Sequence, residues 1–124
     1  LPSADQAFAS LIEDLDQRGL LETTLVMAVG EFGRTPKINK NAGRDHWPNC
    51  YTILMAGGGI AGGAVYGASD RFAAYPARDA VTPEDITATI FHTLDLDPKT
   101  DVFDPIERRT KSIALGEPIH GLFA

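Results

Sequence analysis

The segment TLVMAVGEFGRTP (residues 24–36) decides the fold predicted for this chain, because an apolar run within it ends abruptly at a carboxylate. The run Leu25–Val29 is continuous rather than alternating, which indicates a strand buried on both faces, as in a parallel sheet between two helical layers. Glu31 follows that run almost directly. Open α/β sheets bind ligands beyond the carboxyl ends of their strands, so we predict that Glu31 lies at a functional site.

A second polar segment, GRDHWP (residues 43–48), brings an Asp-His pair next to the only tryptophan of the chain. Asp45 and His46 offer an oxygen and a nitrogen ligand, a combination that suits Zn²⁺ or Mn²⁺. Alternatively, Asp45 orients the imidazole without touching the ion. The plainer interpretation of His46 is a loop histidine that stacks on Trp47 or hydrogen-bonds to the backbone.

The polar loop over residues 31–49, which includes parts of both segments, is basic, although the whole chain carries a net charge of −6. Arg34 and Arg44 are the predicted anion-binding residues, since a guanidinium can hold a phosphate or sulfate through two hydrogen bonds. Lys37 and Lys40 add to the local positive charge. The alternative is that these side chains pair with some of the 17 acidic residues, Arg34 with Glu31 among them.

Two helices are predicted, over Ser3–Gly19 and Thr82–Leu94. The first has Ser3 as its N-cap, Gly19 after its last turn, and one apolar stripe, formed by Phe8, Leu11, Ile12 and Leu15. The second has Thr82 as its N-cap and Pro83 at its first position. Both helices are expected to flank the sheet.

Residues 51–56 predict a second strand of that sheet, and residues 64–78 an edge hairpin. The charged residues 107–111 suggest a solvated segment, residues 113–115 a short edge strand, and residues 119–123 an apolar segment that docks on the body. Together these elements predict an α/β fold, a three-layer sandwich with a mainly parallel sheet. We expect one domain over residues 1–124.

Four further features of the sequence allow more than one interpretation. Residues 57–63 formally contain G-x-G-x-x-G, but a dinucleotide site needs a helix at that point and no helical stripe follows. Cys50 is expected to be a small buried hydrophobe rather than a nucleophile activated by His46. His92 reads as a partly exposed helix residue, with a ligand role as the alternative. Trp47 could also serve as a platform for a glycan.

Composition excludes some classes of partner. The chain is acidic, with pI ≈ 4.9, and shows no basic stripe, so nucleic-acid binding is not expected. No run of 18 apolar residues occurs, and therefore no membrane span is expected. No charged and apolar leader typical of a signal peptide is visible at the start of the sequence.

Several motifs together resemble an uncharacterised bacterial, sulfatase-like family, domain of unknown function 1501, which is similar to the alkaline-phosphatase/sulfatase superfamily. The resemblance covers nearly the whole chain. It rests on residues 23–26, 30–36, 43–48, 55–59, 65–67, 81–85 and 116–119.

The resemblance implies an alkaline-phosphatase-like fold and a metal-assisted hydrolase of sulfate or phosphate esters. This chain would be its C-terminal part, incomplete without an N-terminal segment that carries the nucleophile. Glu31, Asp45 and His46 would be metal ligands, with Zn, Mn or Ca as the divalent metal. Arg34 and Arg44 would hold an anionic small-molecule or glycan substrate. The resemblance also implies a periplasmic or secreted location.

One residue departs from the superfamily pattern. Glu31-Phe32-Gly33 stands where the superfamily has Asp-His-Gly, and Phe32 has no donor atom with which to replace the histidine. One metal, an altered site and no metal are the alternatives that this departure leaves. A non-catalytic member that serves as an extracytoplasmic binding or structural module is therefore the rival interpretation.

Overall fold

The computed structural model describes residues 2–124, which form two compact units that divide between Ala80 and Val81. The first unit contains one helix, a 3-10 turn (Leu21–Thr23) and six short strands. In chain order these elements are α1 (Pro2–Gln17), β1 (Val26–Ala28), β2 (Gly33–Arg34), β3 (His46–Trp47), β4 (Leu54–Ala56), β5 (Ala68–Ser69) and β6 (Pro76–Arg78).

The second unit contains one helix, one hairpin and a 3-10 turn (His120–Leu122). Its elements are α2 (Pro83–Thr93), β7 (Asp101–Asp104) and β8 (Arg109–Ser112). Neither of the two helices described within residues 2–124 is long and apolar enough to cross a membrane.

The expectation of an α/β three-layer sandwich with a mainly parallel, alkaline-phosphatase-like sheet is wrong. All strands of the described chain pair in antiparallel twos: β1 with β4, β2 with β3, β5 with β6 and β7 with β8. Parallel neighbours need a crossover connection, usually a helix. Between β1 and β4 the chain instead folds back on itself through β2 and β3, so β4 returns antiparallel to β1.

The first four strands therefore form one long, interrupted hairpin. Its base is the β1–β4 pair, in which Met27 lies opposite Met55, and its far end is the β2–β3 pair, in which Arg34 lies opposite His46. Residues 29–32 connect the two pairs on one side. The predicted strands over Leu25–Val29 and residues 51–56 thus exist in shortened form, and the loop between them contains a ribbon that the sequence pattern did not predict.

Helix α1 confirms the first predicted helix but not its predicted start. The helix already includes Ser3, which is therefore not an N-cap. Gly19 adopts a positive φ of 67° just after the last turn, as the sequence predicted, and its N–H donates to the carbonyl of Asp16. No residue of α1 is buried, and Leu11 on its apolar stripe is 46% exposed.

Helix α2 confirms the second predicted helix together with its cap. The Thr82 hydroxyl accepts a hydrogen bond from the Asp85 N–H, the Asp85 carboxylate accepts from the Thr82 N–H, and Pro83 occupies the first turn. Ala88 and Thr89 on this helix are fully buried. Ala114 and Ile119, which follow later in the chain, are each 7% exposed. Together with the buried Pro98, these four residues form the small core of the second unit.

The last third of the chain holds a hairpin where the sequence suggested a tail. The predicted edge strand over residues 113–115 is wrong. The strand instead covers Arg109–Ser112 and pairs with Asp101–Asp104. The Asp104 carboxylate accepts from the N–H groups of Ile106 and Glu107, which closes the turn between the strands. These two bonds and the Lys111 ammonium lower the pKa of Asp104. The predicted edge hairpin within residues 64–78 is confirmed as β5–β6.

Candidate functional site

The β2–β3 ribbon carries two of the predicted site residues on one face. Arg34 pairs in register with His46, and directly opposite residues of an antiparallel pair project to the same side with their Cβ atoms about 4.5–5.5 Å apart. Both residues are exposed. A guanidinium and an imidazole therefore lie next to each other on the solvent side of the ribbon.

Phe32 belongs to this same face. Its ring stacks on the imidazole of His46, with ring centroids 3.9 Å apart and planes inclined by 30°. The Arg34 guanidinium carbon lies 5.7 Å from the centroid of the Phe32 ring, within the range of a cation–π contact. Phe32 thus packs against both polar side chains and restricts how they can turn.

The opposite face of the ribbon is attached to the body of the first unit. Trp47, partnered in register by Gly33, is half-buried and donates its indole N–H to the carbonyl of Ala74 over 2.6 Å. The Tyr75 ring packs edge-on against the indole, with centroids 5.6 Å apart. This anchor explains why so short a ribbon holds a fixed position, since two residues per strand provide few ladder hydrogen bonds.

The loop at the end of the ribbon is held by its own side chains. Asn39 accepts from the N–H groups of Asn41 and Gly43 and donates its amide N–H to the Asp45 carboxylate over 2.9 Å. The Thr35 hydroxyl accepts from the Asp45 N–H, and the Arg44 guanidinium donates to the Thr35 carbonyl over 3.2 Å. Asp45 and Arg44 therefore both stabilise the loop in addition to any role toward a ligand.

Not all of the predicted ligands come together. Arg34 and His46 are adjacent, the Asp45 carboxylate points to Asn39, and Glu31 is exposed beside the ribbon, without a side-chain hydrogen bond or ion pair to any residue of 2–124. Over the same residues no three His, Cys, Asp or Glu side chains lie close enough to hold a metal ion. At the ribbon, the described residues therefore supply fewer than the three protein ligands that a catalytic zinc site usually has.

Two contributions to the site were not predicted. Phe32 was recognised only as a residue unable to bind a metal, whereas the structure gives it a packing role against His46. Thr35 and Asn39 were not singled out, although Asn and Thr side chains that hydrogen-bond the nearby backbone are a known turn signal. That signal could have indicated the ordered loop between β2 and β3.

The residues 57–63 do not open a helix. Within the described chain they are followed by turns and by β5, so the condition for a dinucleotide site is not met. Cys50 is a free, half-buried thiol.

Comparison with known proteins gives one match. No curated protein and no solved structure matches the chain significantly. The family model described as "Protein of unknown function (DUF1501)" matches residues 1–123, which is almost the full sequence. The chain therefore belongs to the DUF1501 family.

Proposed function

We propose that this chain is part of a metal-assisted hydrolase of sulfate or phosphate esters, and that it is incomplete without its N-terminal part. The observation that carries the proposal is the register pair Arg34–His46 on the exposed face of the ribbon. A guanidinium that takes part in none of the ion pairs of residues 2–124 is available to hold a tetrahedral anion through two charge-assisted hydrogen bonds.

The neighbouring residues would complete the anion site in different ways. His46 would donate a hydrogen bond to an ester oxygen or provide a nitrogen ligand, and Phe32 would keep its ring in place by stacking. Glu31 would be a carboxylate ligand, and Asp45 would act through the loop that it stabilises. A metal ion, which in such sites supplies Lewis acidity, would need further ligands from upstream residues. The motif resemblance to the sulfatase-like superfamily is the further support for this proposal.

A second candidate function is a non-catalytic family member that acts as an extracytoplasmic binding or structural module. The specific observation in its favour is the Phe32 ring, which covers one face of the His46 ring. By the motif resemblance, Phe32 stands where the superfamily would have a histidine. In this alternative Arg34 and His46 still bind an anionic group, such as a sulfated or phosphorylated glycan, but no ester is cleaved.

Hydrolysis by the full-length protein tests the proposal. Aryl sulfate and aryl phosphate are the substrates, and metal content is measured on the same sample. Arg34→Ala is expected to lower kcat/KM by roughly 10- to 100-fold, since a hydrogen bond to a charged group contributes about 1.5–3 kcal/mol. Lys40→Ala, in the same loop, is the matched control and is expected to leave kcat/KM unchanged.

Two further variants separate the enzyme from the binding module. Glu31→Gln and His46→Ala are expected to abolish turnover if the residues are ligands. Absence of stoichiometric metal, together with rates that neither substitution changes, would exclude the enzyme. Phe32→His then gives an independent measurement, because a restored nitrogen donor is expected to increase the affinity for Zn²⁺ or Mn²⁺ only if Glu31 and His46 face a real metal position.

A further inference from the structure

The second unit contains a cleft that the proposed function does not use. Its volume is about 380 Å³. Six of its lining residues are titratable, namely His92, Asp95, Asp97, Lys99, Glu117 and His120. Because the chain has only three histidines, this cleft gathers all of them except His46.

The two imidazoles come from separate elements that are held together. His92 lies near the C-terminal end of α2, and His120 begins the 3-10 turn. The N–H of Ile119, the residue before His120, donates to the buried hydroxyl of Thr89 over 3.0 Å. Thr89 lies three residues before His92, on the same side of α2. This bond therefore sets the spacing between the elements that carry the two rings.

The distance between the two rings fits two ligands on one ion. Their centroids are 5.2 Å apart and their planes are nearly perpendicular, at 87°. With metal–nitrogen bonds of about 2.0–2.1 Å and a tetrahedral angle, two imidazoles on the same ion have centroids roughly 5 Å apart. Phe123 packs edge-on against His92 from a further direction, with centroids 5.1 Å apart, and restricts the tilt of that ring.

The charges around the rings favour a cation. The Lys99 ammonium is paired with the Glu117 carboxylate over 2.8 Å, and this hydrogen bond raises the pKa of Lys99. Asp97 accepts from the Lys99 N–H, and the Asp95 carboxylate takes part in no ion pair or side-chain hydrogen bond within residues 2–124. Three carboxylates against one ammonium leave the cleft negative when the imidazoles are neutral.

We infer that His92 and His120 form a two-histidine site for a first-row transition-metal ion such as Ni²⁺, Cu²⁺ or Zn²⁺. The part of the chain that the structure describes holds no cluster of three ligands, so water would complete the coordination. Imidazole suits these ions, whereas Mg²⁺ prefers oxygen ligands. The inference is independent of the proposed function, which uses His46.

Calorimetric titration of the full chain, carrying no affinity tag, tests the inference. One Ni²⁺ per chain is expected to bind, Cu²⁺ more tightly and Mg²⁺ not at all. His92→Asn and His120→Asn are each expected to weaken Ni²⁺ binding at least tenfold. In this chain of 124 residues, His46→Asn is the control and is expected to leave the Ni²⁺ affinity unchanged, because His46 lies in the first unit and does not line the cleft.

Three results would overturn the inference. The first is a dissociation constant for Ni²⁺ above about 1 mM. The second is a Ni²⁺ affinity that neither His92→Asn nor His120→Asn changes. The third is a loss of Ni²⁺ affinity with His46→Asn equal to that with the other two variants. Far-UV circular dichroism establishes that each variant is folded. If His92→Asn unfolds the second unit, the Ni²⁺ affinity of His120→Asn decides the question, because His120 is exposed and its substitution removes no buried contact. Proton NMR of the imidazoles supplies a second measurement, because Cu²⁺ must broaden the His92 and His120 signals before that of His46.

Discussion

The two helices have similar sequence patterns but very different surroundings. Helix α1 is the longer, with 16 residues and a clear apolar stripe, yet none of its residues is buried. Helix α2 has 11 residues, and Ala88 and Thr89 within it are fully buried. The comparison shows that apolar periodicity predicts a helix, while burial depends on what the rest of the chain supplies.

The difference comes from side chains that bond outside their own helix. Asp85 accepts from the Glu117 N–H, and Thr89 accepts from the Ile119 N–H, so two positions of α2 fix the segment that covers it. At α1 the hydrogen bonds beyond the helix come from its own C-terminal turn, where Gly19 and Leu20 donate to Asp16 and Leu15. Four substitutions follow from this contrast.

Gly116→Val is expected to have the largest effect on α2. A Cβ at this position would collide with the backbone of Glu84 and Asp85, where α2 begins, and a helix backbone cannot yield as a side chain can. We expect a loss of about 3 kcal/mol in the free energy of unfolding of the second unit. Urea unfolding followed by far-UV circular dichroism measures it, and a loss below about 0.5 kcal/mol would contradict the close approach.

Thr89→Val is expected to lower the free energy of unfolding of the second unit by about 2 kcal/mol. The substitution keeps the shape but removes the hydroxyl that donates to the Asp85 carbonyl and accepts from the Ile119 N–H, so a buried donor loses its partner. Thr87→Val is the matched control, because Thr87 makes the same bond to the carbonyl four residues earlier but is exposed. Equal losses for the two variants would show that the contact with Ile119 adds nothing.

Asp85→Asn is expected to lower the free energy of unfolding of the second unit by about 1 kcal/mol near neutral pH. Hydrogen bonds lower the pKa of Asp85, those from Thr82 most and that from the Glu117 N–H less. Both carboxylate oxygens of Asp85 accept hydrogen bonds, whereas an Asn side chain has only one acceptor oxygen. A lowered pKa adds stability above the unfolded value of about 3.9, and this stability is lost as pH falls through the folded value.

Urea unfolding of both proteins as a function of pH measures this effect. The advantage of wild type over Asp85→Asn should be constant near neutral pH and shrink below about pH 4. Glu84→Gln, in the same turn but outside the network, serves as the control. An advantage that grows on acidification would contradict the assigned sign.

Leu11→Ser in α1 is expected to have the smallest effect, under about 0.5 kcal/mol, since this side chain is already 46% exposed in the chain of 124 residues. The N-terminal part that the proposed function requires allows a second test, in which the same substitution is made in the protein that contains it. A loss of more than about 1 kcal/mol there would show that upstream residues cover the stripe. Urea unfolding of both proteins in parallel measures the difference.

Sequence reasoning located the helices because capping and periodicity are local. Thr82 and Pro83 specify the start of α2 whatever surrounds them, and Gly19 ends α1 because it tolerates a positive φ. Strand pairing is not local. The apolar run at Leu25–Val29 suits a strand of either direction, and only the return of the chain through β2 and β3 makes its partner antiparallel.

The candidate site was predicted as a set of residue types but not as a geometry. Arg34 and His46 were both named, yet their register partnership depends on the turn that Thr35 and Asn39 build between them. Glu31 was placed at a strand end of a parallel sheet, and the described strands form no such sheet. The pairing of His92 with His120 joins residues 28 positions apart, which no local pattern indicates.

Trp47, whose indole anchors the ribbon through the Ala74 carbonyl, also gives the molecule a built-in optical reporter. It is the only tryptophan of the chain and lies directly behind the face that carries Arg34 and His46. Its emission therefore follows the first unit alone, while circular dichroism follows both helices. An anion that quenches this fluorescence would identify itself as a ligand of the ribbon, and a metal that leaves it unchanged would be bound elsewhere.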